Sequence, residues 1–185
     1  MTYVIGDLGC ISAPNNLFAQ LNIGSNLIAN NGAMFGHLTR EQYLMRRVEN
    51  TLAGLGLAET YTPSLRPDDP DPRAYRLSEP ISAELAVLRT TLIPSLVDAV
   101  RYNFDSGAER IGLFEIARVF LPGDGDLPDE HVRVGAILEG DFFRAKGIVA
   151  ALCSALKVEP AYEPGKHELF HPGKAARLPW GWLGE

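Results

Sequence analysis

The segment Ile111–Leu121 (IGLFEIARVFL) is apolar on both faces of an extended chain. Ile111, Leu113, Ala117, Val119 and Leu121 alternate to one side, and Phe114, Ile116 and Phe120 to the other. A strand of this kind lies inside a sheet that is covered on both sides. The turn-forming run Pro122-Gly123-Asp124-Gly125-Asp126 follows, and Val132–Leu138 reads as a second strand in a hairpin-like relation to the first. Outward from this hairpin, apolar spacing predicts helices. Leu44, Val48, Leu52 and Leu55 recur at helical intervals behind Thr39 and Gln42, a capping-box pair, and Gly56 supplies a left-handed stop. A second helix runs from about Leu92 to Asp105, with Pro94 in its first turn and Leu96, Val100 and Phe104 as its apolar stripe. A third runs from about Arg144 to Leu156 on Ile148, Leu152 and Leu156. Residues 58–65 read as a short strand that Pro63 ends or confines to an edge. Arg66–Arg73 (RPDDPDPR) is a loop that cannot hold a helix. A short strand around Ala175–Leu178 precedes a turn at Pro179-Trp180-Gly181-Trp182. Hairpin-joined strands with helices kept to one side predict an α+β fold, an antiparallel sheet flanked by helices.

The chain has 185 residues, enough for a domain with a substantial core. Hydrophobic residues at 46% and charged residues at 22% exclude a disordered or collagen-like chain. A net charge of −6 argues against a nucleic-acid-binding surface spread over the whole molecule, although it leaves room for a local basic patch. Cys10 and Cys153 are too few for a disulfide framework or a four-thiolate zinc site, so a reducing cytoplasm is the expected location. No apolar run is long enough to span a membrane, and no basic region precedes an apolar one at the N-terminus. Composition changes near residue 37. Residues 1–36 carry a single charge, Asp7, and six asparagines, with no clean period in their apolar residues. They are expected to form an irregular N-terminal arm or an unmatched segment, and 37–185 the main module.

Four stretches, read together, resemble the catalytic-like module of the beta subunit of bacterial phenylalanine–tRNA ligase. They are Val87–Gly107 (VLRTTLIPSLVDAVRYNFDSG), Leu113–Leu121 (LFEIARVFL), Phe142–Leu156 (FFRAKGIVAALCSAL) and Phe170–Glu185 (FHPGKAARLPWGWLGE). Leu38–Thr62 is similar to the helix and strand that open the module, so the likeness covers about residues 37–185. The resemblance implies the antiparallel fold of class II aminoacyl-tRNA synthetases, truncated here at the C-terminus, and a fragment of the subunit. It implies a non-catalytic assembly module that pairs with an alpha subunit and meets tRNA indirectly, through the full complex. ATP and magnesium would be held by that alpha subunit, and this chain alone would be inactive.

The residues agree with lost catalysis. An active site of this class needs an arginine at the end of the central motif strand, where negative charge builds on the α-phosphate of ATP. Aligning Ala117-Arg118-Val119-Phe120 with that pattern puts Leu121 in the arginine's place. The next turn carries Asp124, Asp126, Asp129 and Glu130, whose field repels a triphosphate. Arg89, before the second helix, could hold an anion, or it could pair with an acid such as Glu84 or Glu115 while Thr91 caps the helix. The structural reading is favoured. Arg118 and Glu115 are three apart in a strand, on opposite faces, and do not pair with each other. Arg89, Glu115, Arg118 and Leu121 are therefore treated as degenerate active-site positions. No catalytic, cofactor-binding or metal-ligating residue is expected.

His167 and His171 stand four apart, but Pro172-Gly173 disfavours a helix there and no third ligand clusters with them. The acidic turn lacks the spacing of a calcium loop. Cys153 lies among apolar neighbours and reads as a buried, inert thiol. The first helix, through Leu44, Val48, Leu52 and Leu55, is the expected interface with the alpha subunit, or else that stripe packs on its own sheet. Two other readings stay open: a stand-alone paralogue that kept a nucleotide or amino-acid pocket, and a small-molecule sensor.

Overall fold

A computed structural model describes residues 3–8, 40–167 and 169–185. In chain order the strands are β1 (Tyr3–Leu8), β2 (Ala58–Glu59), β3 (Leu65–Arg66), β4 (Val87–Leu88), β5 (Gly112–Leu121), β6 (Asp129–Glu139), β7 (Glu163–Pro164), β8 (Ala175–Leu178) and β9 (Gly181–Gly184). The helices are α1 (Arg40–Gly54), α2 (Ile93–Asp105) and α3 (Phe142–Leu156). Seven strands form one sheet in the order β2-β5-β6-β1-β9-β8-β7, and β3 and β4 pair apart from it. Pairing in the large sheet is antiparallel except between β2 and β5. The fold is α+β, as expected.

The β5–β6 hairpin is the centre of the molecule, in register from Gly112 opposite Leu138 to Leu121 opposite Asp129. Its two apolar faces meet different helices. Phe114, Val134, Ala136 and Leu138 pack with Val48 and Leu52 of α1 and with Ile148, Val149 and Leu152 of α3. Ile111, Leu113, Val119 and Ile137 pack with Leu92, Leu96 and Val100 at α2. Each fully buried aliphatic side chain contributes about 1.5–3 kcal/mol, so both layers are needed to hold the hairpin. Gly135 lets α2 approach: a Cβ there would lie 2.8 Å from Leu96 Cδ1 and 3.1 Å from Leu92 Cβ.

Local signals set the helix ends. Gly56 (φ +88) and Gly107 (φ +90) take the left-handed conformation just past α1 and α2. Asp141 caps α3 by accepting the Arg144 N–H at 2.8 Å, which starts that helix at Phe142, two residues earlier than its apolar spacing indicates. Thr39, the expected cap of α1, lies outside the described residues, as do Cys10 and most of the asparagine-rich stretch.

Three expectations need correction. Tyr3–Leu8 are not an irregular arm: they form β1, an interior strand hydrogen-bonded to β6 on one side and β9 on the other. Residues 58–65 do not make one strand. Pairing with β5 lapses after Thr60 N–H donates to Phe114 O at 2.8 Å, and Pro63 falls in the gap before β3. The turn after β8 is shorter than expected, because Gly181–Gly184 pairs with both β8 and β1 as strand β9.

Candidate functional site

Arg89 follows β4 and its side chain points inward between β5 and the Thr62–Pro63 segment. Arg89 and Glu115 face each other at 3.1 Å, each with only 2% of its side chain exposed. The same guanidinium donates through Nη1 to Thr62 Oγ1 at 2.7 Å and through Nε to Arg118 O at 3.0 Å. Glu115 in turn accepts the Thr62 N–H at 3.1 Å and the Thr62 hydroxyl at 2.7 Å. Phe120 N–H donates to Arg89 O at 2.9 Å, tying the backbones together as well. The pair is fully wired into the fold, which a charge taken from water requires. Of the two acids foreseen for Arg89, the partner is Glu115.

Arg118 points to the other face of β5 and meets Glu130 across the hairpin at 3.4 Å, with 67% and 57% of the side chains exposed. Leu121, opposite Asp129 at the end of the hairpin, packs against the α2-side core. Beyond it, Asp124, Asp126, Asp129 and Glu130 are all exposed. No cluster of three or more potential metal ligands occurs among the described residues. His167 stacks near Phe170 and Trp182, with ring centroids at 4.8 and 5.1 Å. The backbone N–H of His171 donates to Glu185 O at 2.6 Å. Cys153 is buried in the α3 core, and burial pushes its thiol pKa up, so the thiolate is disfavoured.

The α1 stripe is largely unavailable as a docking surface. Val48 and Leu52 are 1% and 0% exposed, Leu44 is buried beside them, and only Leu55 reaches 39%. Amphipathic spacing shows that a helix hides one face, and here that face is hidden by α3 and the sheet of the same chain.

Sequence reasoning missed a cleft beside the start of α2, whose walls include Arg73, Thr90, Thr91, Arg133, His167 and Trp182. Asp69, from the proline-rich loop, ties down Thr90 in its wall: Oδ2 accepts the Thr90 N–H at 2.8 Å and Oδ1 the Thr90 hydroxyl at 2.6 Å. Thr91 Oγ1 accepts the Ile93 N–H at 3.3 Å, but the N-cap of α2 is Leu92, one residue after the expected Thr91 cap, and it makes no side-chain cap hydrogen bond. Asp71 binds the Arg73 guanidinium at 2.8 Å, and that hydrogen bond holds its carboxyl below the usual range. Three aspartates within RPDDPDPR give no sequence signal for which one turns inward.

Comparison with known proteins places this geometry. The family model for the phenylalanyl-tRNA synthetase beta chain CLM domain matches residues 28–182. The chain is 37% identical over 158 residues to the phenylalanine–tRNA ligase beta subunit of Gloeobacter violaceus, covering 77% of this chain and 20% of that protein. It is 34% identical over 182 residues to the beta subunit of Symbiobacterium thermophilum, covering 81% of this chain and 20% of that protein. The chain thus spans about one fifth of the length of the curated relatives it matches. Among solved structures, a pyrrolysyl-tRNA synthetase from Desulfitobacterium hafniense superposes with a TM-score of 0.59 at 11% identity, covering 84% of this chain and 68% of that one. That likeness is one of fold, a class II synthetase-like core. By the extent of the family match and the identity to its relatives, the chain belongs to the phenylalanyl-tRNA synthetase beta chain CLM domain family.

Proposed function

We propose that this chain is a non-catalytic class II-like module of a phenylalanine–tRNA ligase beta subunit, acting as a structural partner of the catalytic alpha subunit that charges tRNA(Phe). The observation that carries this reading is the commitment of Arg89 to Glu115 and Thr62, together with the aliphatic Leu121 at the end of β5. Adenylate formation needs cationic groups aimed at phosphate. Here one arginine is spent on the fold, another is paired with Glu130 at the surface, and the turn beyond is acidic. These residues do not fit a nucleoside triphosphate, so ATP and magnesium are assigned to the alpha subunit. tRNA is met through the full complex.

No helix among the described residues is long and apolar enough to cross a membrane, which is consistent with a cytoplasmic assembly. Because the α1 stripe is internally buried, contact with the alpha subunit falls to exposed groups such as Leu55 and the outer face of α1. Mixing the purified chain with the alpha subunit and measuring the mass of the product tests the assignment. A stable complex that depends on no added nucleotide is expected. Two separate species at micromolar concentration would contradict it. The alternative, a stand-alone paralogue with a nucleotide or amino-acid pocket, requires the lone chain to bind ATP or phenylalanine in a calorimeter.

A further inference from the structure

The β5–β6 hairpin is closed by residues 122–128, and the last pair before the loop is Leu121 opposite Asp129. Within the loop Asp124, Gly125, Asp126 and Leu127 are all exposed. Among the described residues, none forms a hydrogen bond or ion pair with Asp124, Gly125 or Asp126. Asp124 is also the only aspartate in the chain that is followed by glycine. Gly125 does not take a positive φ, and a Cβ built on it would meet only Leu127 O, at 3.9 Å.

The nitrogen of the next peptide can close a five-membered ring on an aspartyl side-chain carboxyl. The closure needs an N–H that is not donated elsewhere, a carboxyl that no cation holds, and little bulk on the attacking residue. Asp124 and Gly125 meet all three conditions. Elsewhere at least one fails. Asp69 and Asp71 precede prolines, which have no N–H. The Ser106 N–H beyond Asp105 is donated to Tyr102 O at 3.0 Å. Asp126 precedes the branched Leu127.

We propose that Asp124–Gly125 is a site of spontaneous covalent modification, at which aspartate converts to isoaspartate in the folded chain. The Gly125 nitrogen attacks Asp124 Cγ and a C–N bond forms. The nitrogen's proton and the OH of the neutral carboxyl leave as water, giving a succinimide. Water then opens the ring at one of its two carbonyls. Attack at Cγ restores aspartate, whereas attack at the Asp124 main-chain carbonyl leaves the chain running through the side-chain carbon. Water is the only co-reactant, released in the first step and returned in the second. The added backbone carbon falls beyond the Leu121–Asp129 pair, so no sheet hydrogen bond has to break at any stage. The site is independent of the catalytic reading and of pairing with an alpha subunit.

The test is to incubate the folded chain for several weeks at neutral pH and to map its peptides by electron-transfer fragmentation, which separates isoaspartate from aspartate at unchanged mass. Isoaspartate at 124 should exceed that at 105 by about tenfold, because closure at 105 must first release one hydrogen bond. Gly125→Val, whose side chain has room in the loop, should abolish the product and leave the unfolding midpoint unchanged. Asp124→Asn should convert faster than the unaltered chain, because ammonia then leaves in place of water. Equal fractions at 124 and 105, or product at 124 only when the chain is unfolded in urea, would overturn the proposal. An Asp124→Asn variant that keeps its amide over the same period would overturn it as well.

Discussion

Two Arg–Glu pairs share strand β5 and differ in almost every consequence. Arg89–Glu115 lies on the α2 face at 3.1 Å with 2% of each side chain exposed. Arg118–Glu130 lies on the opposite face at 3.4 Å, with more than half of each side chain in water. The chemistry is the same in both, but the surroundings determine what it does. The inner pair joins Thr62, the β4–α2 connection and β5, so removing one member strands a charge where water cannot reach it. The outer pair is solvated and screened, and its members can part at little expense. A buried arginine beside a helix start is thus not evidence of a ligand, because its neighbours already answer for it.

The largest expected effect tests that contrast directly. Glu115→Ala should destabilise the chain by about 3–5 kcal/mol in denaturant titration, because Arg89 is left buried and unpaired. An effect below about 1 kcal/mol would show that Arg89 reaches solvent and that the inner pair is no different from the outer one. Next, Leu52→Ala in the α1–α3 core should lose about 2–5 kcal/mol whether or not an alpha subunit is present. If the loss appeared only on mixing with that subunit, the α1 stripe would be an interface after all. Asp141→Ala, which removes the α3 cap, should lose about 1 kcal/mol. Arg118→Ala should change stability by less than about 1 kcal/mol, with any effect fading as salt is added.

A further contrast is chemical. Burial raises the Cys153 pKa, so at neutral pH the folded chain holds the neutral thiol and should react slowly with a disulfide reagent. Because the folded-state pKa is the higher one, the neutral thiol's stabilisation is fully present below the unfolded thiol's ordinary pKa. It is lost as pH rises through the folded value. Reaction as fast as that of the unfolded chain at neutral pH would show that the α3 core opens readily.

Much of the fold was readable where a residue's periodicity answers to its immediate surroundings. The double-faced alternation of Ile111–Leu121 correctly assigned Leu113 and Val119 to one layer and Phe114 to the other. Gly56 and Gly107 marked helix ends because a positive φ is a local requirement. β1 and β9 were not readable. Tyr3–Leu8 is a strand because it pairs with β6 and β9, both far along the chain, Gly181–Gly184 because it pairs with β1 as well as with the adjacent β8, and neither has an apolar alternation that announces it. The same limit applies to the site. The need of Arg89 for an acid was legible, and only the packing of β5 against the Thr62 segment selected Glu115. The turn of Asp69 toward Thr90 spans 21 residues and depends on the path of a loop, which no pattern in RPDDPDPR records.

The most direct measurement is phenylalanine-dependent ATP–pyrophosphate exchange by the isolated chain. With Leu121 at the end of β5 and Arg89 locked to Glu115, the expected rate is indistinguishable from that without protein. Sustained exchange that scales with chain concentration would mean that an adenylate forms here, and would contradict the assignment of the chain as a non-catalytic partner.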